Sequence, residues 1–330
     1  MNIFFKTIYL LIMKTSILVG GQAVIEGVMM RVPGAYATAL RLKNGKILSK
    51  RVDFQSIIEI KGLKNYFIIR GMVHLYESMK IGYQTLNWSA TVFEKENSIQ
   101  GEEKNSFFQQ AMEYASNIVA IVFAISLFVL LPLYTTSVLI EDNNQPIYFN
   151  IISGFVRITI FLLYLIIISQ LNDVKRLFQY HGAEHKTVYN FESGEKLNSQ
   201  VAQKFSTKHP RCGTSFLFII MLVTIFSYTI LDSIALLFLE HLTVLIRFLL
   251  HLACLPLVAG IGYEVLKFLA SKQHIYFFKL LSQPGLWLQS ITTKQPDDEQ
   301  VEVAIFALKE AFGKNLEEYL GKEYNAESIG

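Results

Sequence analysis

The stretch Ala115 to Leu139, ASNIVAIVFAISLFVLLPLYTTSVL, contains no charged side chain over a length sufficient to cross a hydrocarbon core. Ile151 to Gln170 and Gly213 to Leu231 are also long apolar runs. A fourth region, Ser233 to Ala270, exceeds one span and carries Glu240, His241, Arg247 and His251. Its start belongs at the interface and its spanning part near Leu242 to Gly262, with two short spans as the alternative. Arg247, one turn from His251, is expected to snorkel to the interface. The composition points the same way, with 52% hydrophobic residues against 17% charged. The expected fold is a membrane α-helical protein with about four transmembrane helices, a small cytoplasmic α+β N-terminal region and a helical C-terminal tail. Its place is the cytoplasmic membrane, as a multi-pass protein in the lipid bilayer.

Basic residues near span ends are retained on the cytoplasmic side. The loop 172–212 holds Lys175, Arg176, Lys186, Lys196, Lys204, Lys208 and Arg211, whereas Glu141 to Tyr148 holds no basic residue. The first loop is therefore expected inside and the second outside, with the N-terminal region and the tail after Lys267 also inside. A net charge of +3 without a basic, aromatic-interleaved cluster leaves no nucleic-acid footprint. Ile8 to Met13 is a short hydrophobic lead-in broken by Lys14 and lacks a cleavage site.

Three segments follow. Residues 1–106 carry a β-hairpin centred on Asn44-Gly45, then amphipathic helices from Gln55 to Ala90 and a polar linker from Glu94 to Ser106. Residues 107–270 form the transmembrane bundle, with the loop 172–212 inserted, and residues 271–330 form the tail. In that tail, Pro296-Asp297-Asp298 opens a helix with Val301, Ile305 and Leu308 on one face.

Just after the second apolar run stands His181-Gly-Ala-Glu184-His185. Residues four apart share a helix face, so the two imidazoles can reach one metal ion while Glu184 lies beside them. That is the inverted zincin pattern. Reading backwards, Phe178, Val174 and Leu171 continue the stripe and turn the histidines inward. Gly182 costs about 1 kcal/mol relative to alanine in a helix, which suggests close approach of a ligand or another backbone. A catalytic zinc keeps three protein ligands and an open position, and a structural one takes four. His209 is the first choice for the third ligand, with Cys212 and Glu264 as rivals, and a Cys212 thiolate added to three histidines would close the site. Glu184 is the candidate general base. Gln22, Glu26 and Arg31, beside Gly20-Gly21, could approach an anionic substrate together with Arg211; the alternative is a tight turn with a Glu26–Arg31 salt bridge.

Several blocks resemble one family. Gly20 to Arg31 (GGQAVIEGVMMR), Tyr180 to Thr187 (YHGAEHKT), His209 to Ser215 (HPRCGTS), Gly262-Tyr-Glu264 and Ile291 to Asp298 with Gln300 to Ala304 resemble the YqhQ-like bacterial multipass membrane proteins. The likeness runs in order from about Lys14 to Phe312. It implies a membrane location and a metal-dependent enzyme of unknown substrate. The expected function is a zinc-type hydrolase at the cytoplasmic membrane face, acting on a membrane-associated substrate through Glu184 and a divalent metal, with zinc expected from the donor types. The alternatives are a non-catalytic membrane scaffold with a structural zinc and, behind it, a transporter. Homo-oligomerisation stays open.

Overall fold

The computed structural model describes residues 16–97, 107–140, 144–210, 212–272 and 275–326; the lead-in at 8–13 and Arg211 lie outside them. β1 (Ser16–Ile17) precedes an antiparallel meander of β2 (Gly20–Val24), β3 (Gly27–Val32), β4 (Ala35–Arg41) and β5 (Ile47–Asp53). Asn44-Gly45 turns β4 into β5, with Gly45 at φ 82, as the dipeptide predicts. The turn from β2 to β3 is Ile25-Glu26, and Glu26 takes φ 54, a left-handed conformation disfavoured for a residue with a Cβ. Alternation along β3 sends Val28 and Met30 to one face and Met29 to the other.

α1 (Ile57–Ile60) and α2 (Phe67–Asn97) follow. Helix α2 runs past Glu94, where polar composition predicts the start of a linker. The Glu96 carboxylate accepts from the Lys43 backbone N–H at 3.3 Å, so the hairpin holds this last turn. The remainder of that expected linker, 98–106, lies outside the described residues.

Four helical stretches are long and apolar enough to cross a membrane. In the first, α3 (Phe107–Ile125) passes through a π-turn (Ser126–Leu130) into α4 (Leu131–Leu139). Pro132 has no N–H to give the preceding turn, and the π-turn is the local adjustment. α5 (Pro146–Ile168) is the second span; the chain turns at Ser169 to Leu171 before α6 (Asn172–Glu192), so the histidines sit on a helix of their own. After the short α7 (Ser199–Ala202), α8 (Gly213–Ala235) and α9 (Val244–Ser271) are the third and fourth spans. The region from Ser233 therefore crosses once, because eight residues of non-helical chain separate the end of α8 from α9 and the remainder forms one helix.

The tail forms α10 (Tyr276–Leu281), α11 (Gln283–Thr292), α12 (Asp298–Phe312) and β6 (Asn325–Ala326), which pairs in parallel with β1. Asp297 and Gln300 close a capping box at the start of α12. Val301, Ala304 and Leu308 of α12 pack with Val28, Met30, Ala37 and Ala39 of the sheet and Tyr180, Ala183 and Val188 of α6 in one buried core. The opposite sheet face meets Ile81 of α2 through Met29 and Tyr36. By connectivity, this layer lies where α5 and α9 end and α8 begins.

Arg247 does not snorkel. It is fully buried and donates to Asp232 of α8, which also accepts from Asn150 Nδ2 at 2.8 Å and lies 2.9 Å from His251 Nε2. A buried counter-ion removes the drive toward the interface. Arg157, inside the second span, is likewise held, donating to the Phe128 carbonyl at 3.1 Å and Thr224 Oγ1 at 3.2 Å.

Candidate metal centre

His181 and His185 rise from one face of α6, as their spacing requires, with ring centroids 4.6 Å apart. Cys212 comes from the other side. It caps the N-terminus of α8, where its Sγ meets Thr214 N at 3.5 Å and Thr214 Oγ1 at 3.1 Å. Donor atoms of His181, His185 and Cys212 all lie within 4.8 Å of one another.

The outer nitrogens of both rings are committed. His181 Nδ1 is 2.8 Å from the Thr292 carbonyl and His185 Nδ1 is 2.5 Å from the Thr207 carbonyl. A carbonyl only accepts, so each Nδ1 donates and each Nε2 is the atom left for a ligand. His181 Nε2 lies 3.1 Å from Cys212 Sγ.

Electrostatics prepare the thiolate. Burial pushes the Cys212 thiol up, but His181 and His185 more than reverse this and hold it well below the ordinary thiol range. Burial likewise pulls His181 down, yet the charge of Cys212, their hydrogen bond and Glu184 together raise it to about 9. The thiolate is the form a metal takes.

Glu184 is buried beside these groups, with Oε2 3.4 Å from His185 Nε2. It lines a cavity of about 70 Å³ with His181, His185, His209, Cys212, Val188 and the stretch Val19 to Gly21. Gly21 is needed there: a Cβ would stand 2.1 Å from the Met29 carbonyl and 3.1 Å from Glu184 Cγ. Gly182 has its reason in backbone, since a Cβ would stand 2.1 Å from the Lys294 carbonyl. Lys294 N donates to the Phe178 carbonyl at 2.9 Å, so the strap that carries Thr292 lies directly on α6.

The other expected ligands sit differently. His209 packs 5.6 Å from His185, ring to ring, with its Nε2 3.8 Å from Glu192, and it borders the cavity outside the three-donor cluster. Glu264 lies apart, in a two-point ion pair with Arg70 at 2.6 and 2.5 Å. Gln22 donates to the Gly82 carbonyl and Thr85 Oγ1, tying β2 to α2. The expected Glu26–Arg31 bridge does not form. Glu26 instead receives Arg176 of α6 at 2.5 and 2.6 Å, because its left-handed turn aims the carboxylate at that helix, and Arg31 stacks on Phe54 at 4.6 Å.

Gln289 escaped the sequence reading. Fully buried on α11, it accepts from His209 N at 2.7 Å and donates to the His209 carbonyl at 2.8 Å and Ser215 Oγ at 3.0 Å. A glutamine in a largely apolar helix gives no warning of such a role. Lys186 similarly pins the loop by donating to the Gln203 and Phe205 carbonyls.

A family model described as "Protein of unknown function (DUF1385)" matches residues 67–314. The chain is 32% identical over 302 residues to the "Uncharacterized protein YqhQ" of Bacillus subtilis (strain 168), covering 88% of this chain and 91% of that relative. No solved structure matches. With the match spanning the sheet-covering helix α2, all four spans, the histidine helix and α12, the chain belongs to the DUF1385 family.

Proposed function

We propose that this protein is a metal-dependent hydrolase working at the cytoplasmic face of the membrane. His181 Nε2, His185 Nε2 and Cys212 Sγ would hold a divalent ion, and the two-imidazole, one-thiolate set suits zinc. Bound there, such an ion supplies Lewis acidity to a substrate oxygen and makes water nucleophilic at neutral pH. The observation that carries the reading is convergence. Three donors lie within 4.8 Å, both Nδ1 atoms are spent on carbonyls, and a buried carboxylate faces the same cavity.

Glu184 would take a proton from attacking water and return it to the leaving group. Thr292 and Thr207 orient the rings through their carbonyls, and the start of α8 stabilises the Cys212 thiolate through its helix dipole. Basic residues of the 172–212 loop support the cytoplasmic orientation.

One observation favours a second reading, the scaffold with a structural zinc. The cavity is small and His209 borders it, so a fourth protein ligand is close at hand. Glu184→Gln separates the two. In the hydrolase, the variant keeps its metal but fails to complement a strain lacking the gene, while Cys212→Ser loses both metal and function. A metal-replete Glu184→Gln protein with full complementation would end the catalytic reading.

A further inference from the structure

Two larger cavities lie beyond the histidine pocket. The first, about 350 Å³, shares Val19, Gly20, Gly21 and Gly213 with it. The second, about 420 Å³, shares Leu18, Arg31 and His74 with the first and reaches Arg70 and Lys267. Their sizes lie in the range of small-molecule sites. The three spaces thus form a row from Cys212, past Arg31, to Lys267.

The row has an amphiphilic lining. Phe216 belongs to the first turn of α8 and Leu266 to the last turns of α9, so the apolar wall is set where spanning helices end. Helix α2, which supplies His74, Leu75 and Ser78, exposes Tyr76, Met79, Tyr83 and Leu86 along its length. An exposed apolar face of that kind, beside the ends of spanning helices, suits the bilayer surface.

Arg31 stands at the junction of the two larger cavities. Among the described residues its guanidinium makes no hydrogen bond and lies over the Phe54 ring. Of the acids whose charge favours that of Arg31, Glu77 accepts from Ser56 Oγ and Ile57 N, and Glu59 lines the second cavity. Burial disfavours the charge on Arg31, a cost that an anionic ligand would offset. Burial, then the positive charges of Arg31, Lys267 and Arg70, push His74 down to about 4, leaving it neutral at pH 7 as a hydrogen-bonding neighbour.

We propose that these cavities bind a phosphate-bearing lipid, its phosphate held by Arg31 and its chains along Phe216, Leu75 and Leu266, with the headgroup directed past Gly20-Gly21 toward Glu184. As the substrate class of the enzyme, this rests on the hydrolase reading; as a binding site, it stands independently. Guanidinium is the side chain suited to two-point phosphate recognition, and the apolar walls account for the rest of the ligand.

The test is calorimetric titration of the full chain in an uncharged maltoside detergent with three probes. Dioctanoyl phosphatidic acid carries both features, dioctanoylglycerol lacks the phosphate, and inorganic phosphate lacks the chains. The wild type is expected to bind phosphatidic acid at least tenfold more tightly than either other probe. Arg31→Gln should weaken that binding at least tenfold, and Ser78→Trp, which fills the first cavity from an exposed position, should weaken it while leaving the charge intact. If Arg31→Gln fails to fold, Ser78→Trp decides. Equal affinity for dioctanoylglycerol, equal affinity for inorganic phosphate, or wild-type affinity in Ser78→Trp overturns the proposal. His185→Ala keeps this result apart from the hydrolase reading: it should lose metal and still bind phosphatidic acid, whereas wild-type, metal-replete protein that binds the lipid without hydrolysing any phosphate-bearing lipid would bring down the enzyme alone.

Discussion

Two buried polar clusters lie near opposite ends of α8, and each combines histidine with a carboxylate. Cys212 precedes the helix and Asp232 closes its last turns, about 30 Å along the axis at 1.5 Å per residue. At the Asp232 end the carboxylate serves Arg247, Asn150 and His251, while Tyr228 stacks on His251 at 3.8 Å and Arg247 lies over Phe149 at 3.7 Å. At the Cys212 end the histidines spend one nitrogen each on backbone and turn the other toward a cavity that Glu184 also faces. Residue types are similar, but the commitments of their atoms differ. A carboxylate consumed by a neighbouring arginine fastens helices together, whereas one left open beside ligand atoms can act on something that enters.

That contrast breaks if the clusters respond alike to mutation. The largest effect is expected at His185→Ala, where elemental analysis should show metal falling from about one ion per chain to background, because one of three donors is gone. Next comes Asp232→Leu, which strands the buried Arg247 charge. Thermal unfolding in detergent should register a loss of about 4 kcal/mol, with metal per folded chain unchanged. Loss of metal in the Asp232 variant, at intact fold, would mean that the two ends are one functional unit. Gln289→Leu is a smaller test. Depriving the His209 backbone of both partners should cost about 2 kcal/mol, and metal should stay bound if His209 is a neighbour of the centre rather than a ligand.

Much of the fold is legible in the chain because its signals are local. Hydropathy over a bilayer's length marks the spans, Asn44-Gly45 marks its hairpin and Pro296-Asp297-Asp298 marks the start of α12. Glu94 to Asn97 reads as linker because the contact that keeps it helical, Glu96 to Lys43, joins residues far apart in sequence. Arg247 reads as an interfacial snorkel for the same reason, since its counter-ion sits on another helix.

By itself the sequence determined that His181 and His185 share a helix face with Glu184 beside them, since helical periodicity needs no information from elsewhere in the chain. Tertiary structure alone decided which residue meets them. It brought Cys212 across from the cap of α8, turned Glu264 to Arg70 and set Thr292 and Thr207 behind the two rings. A ligand set is a matter of distance between elements, and those distances are fixed by the packing of α6 against β2, α12 and the strap at Lys294, which no local pattern encodes.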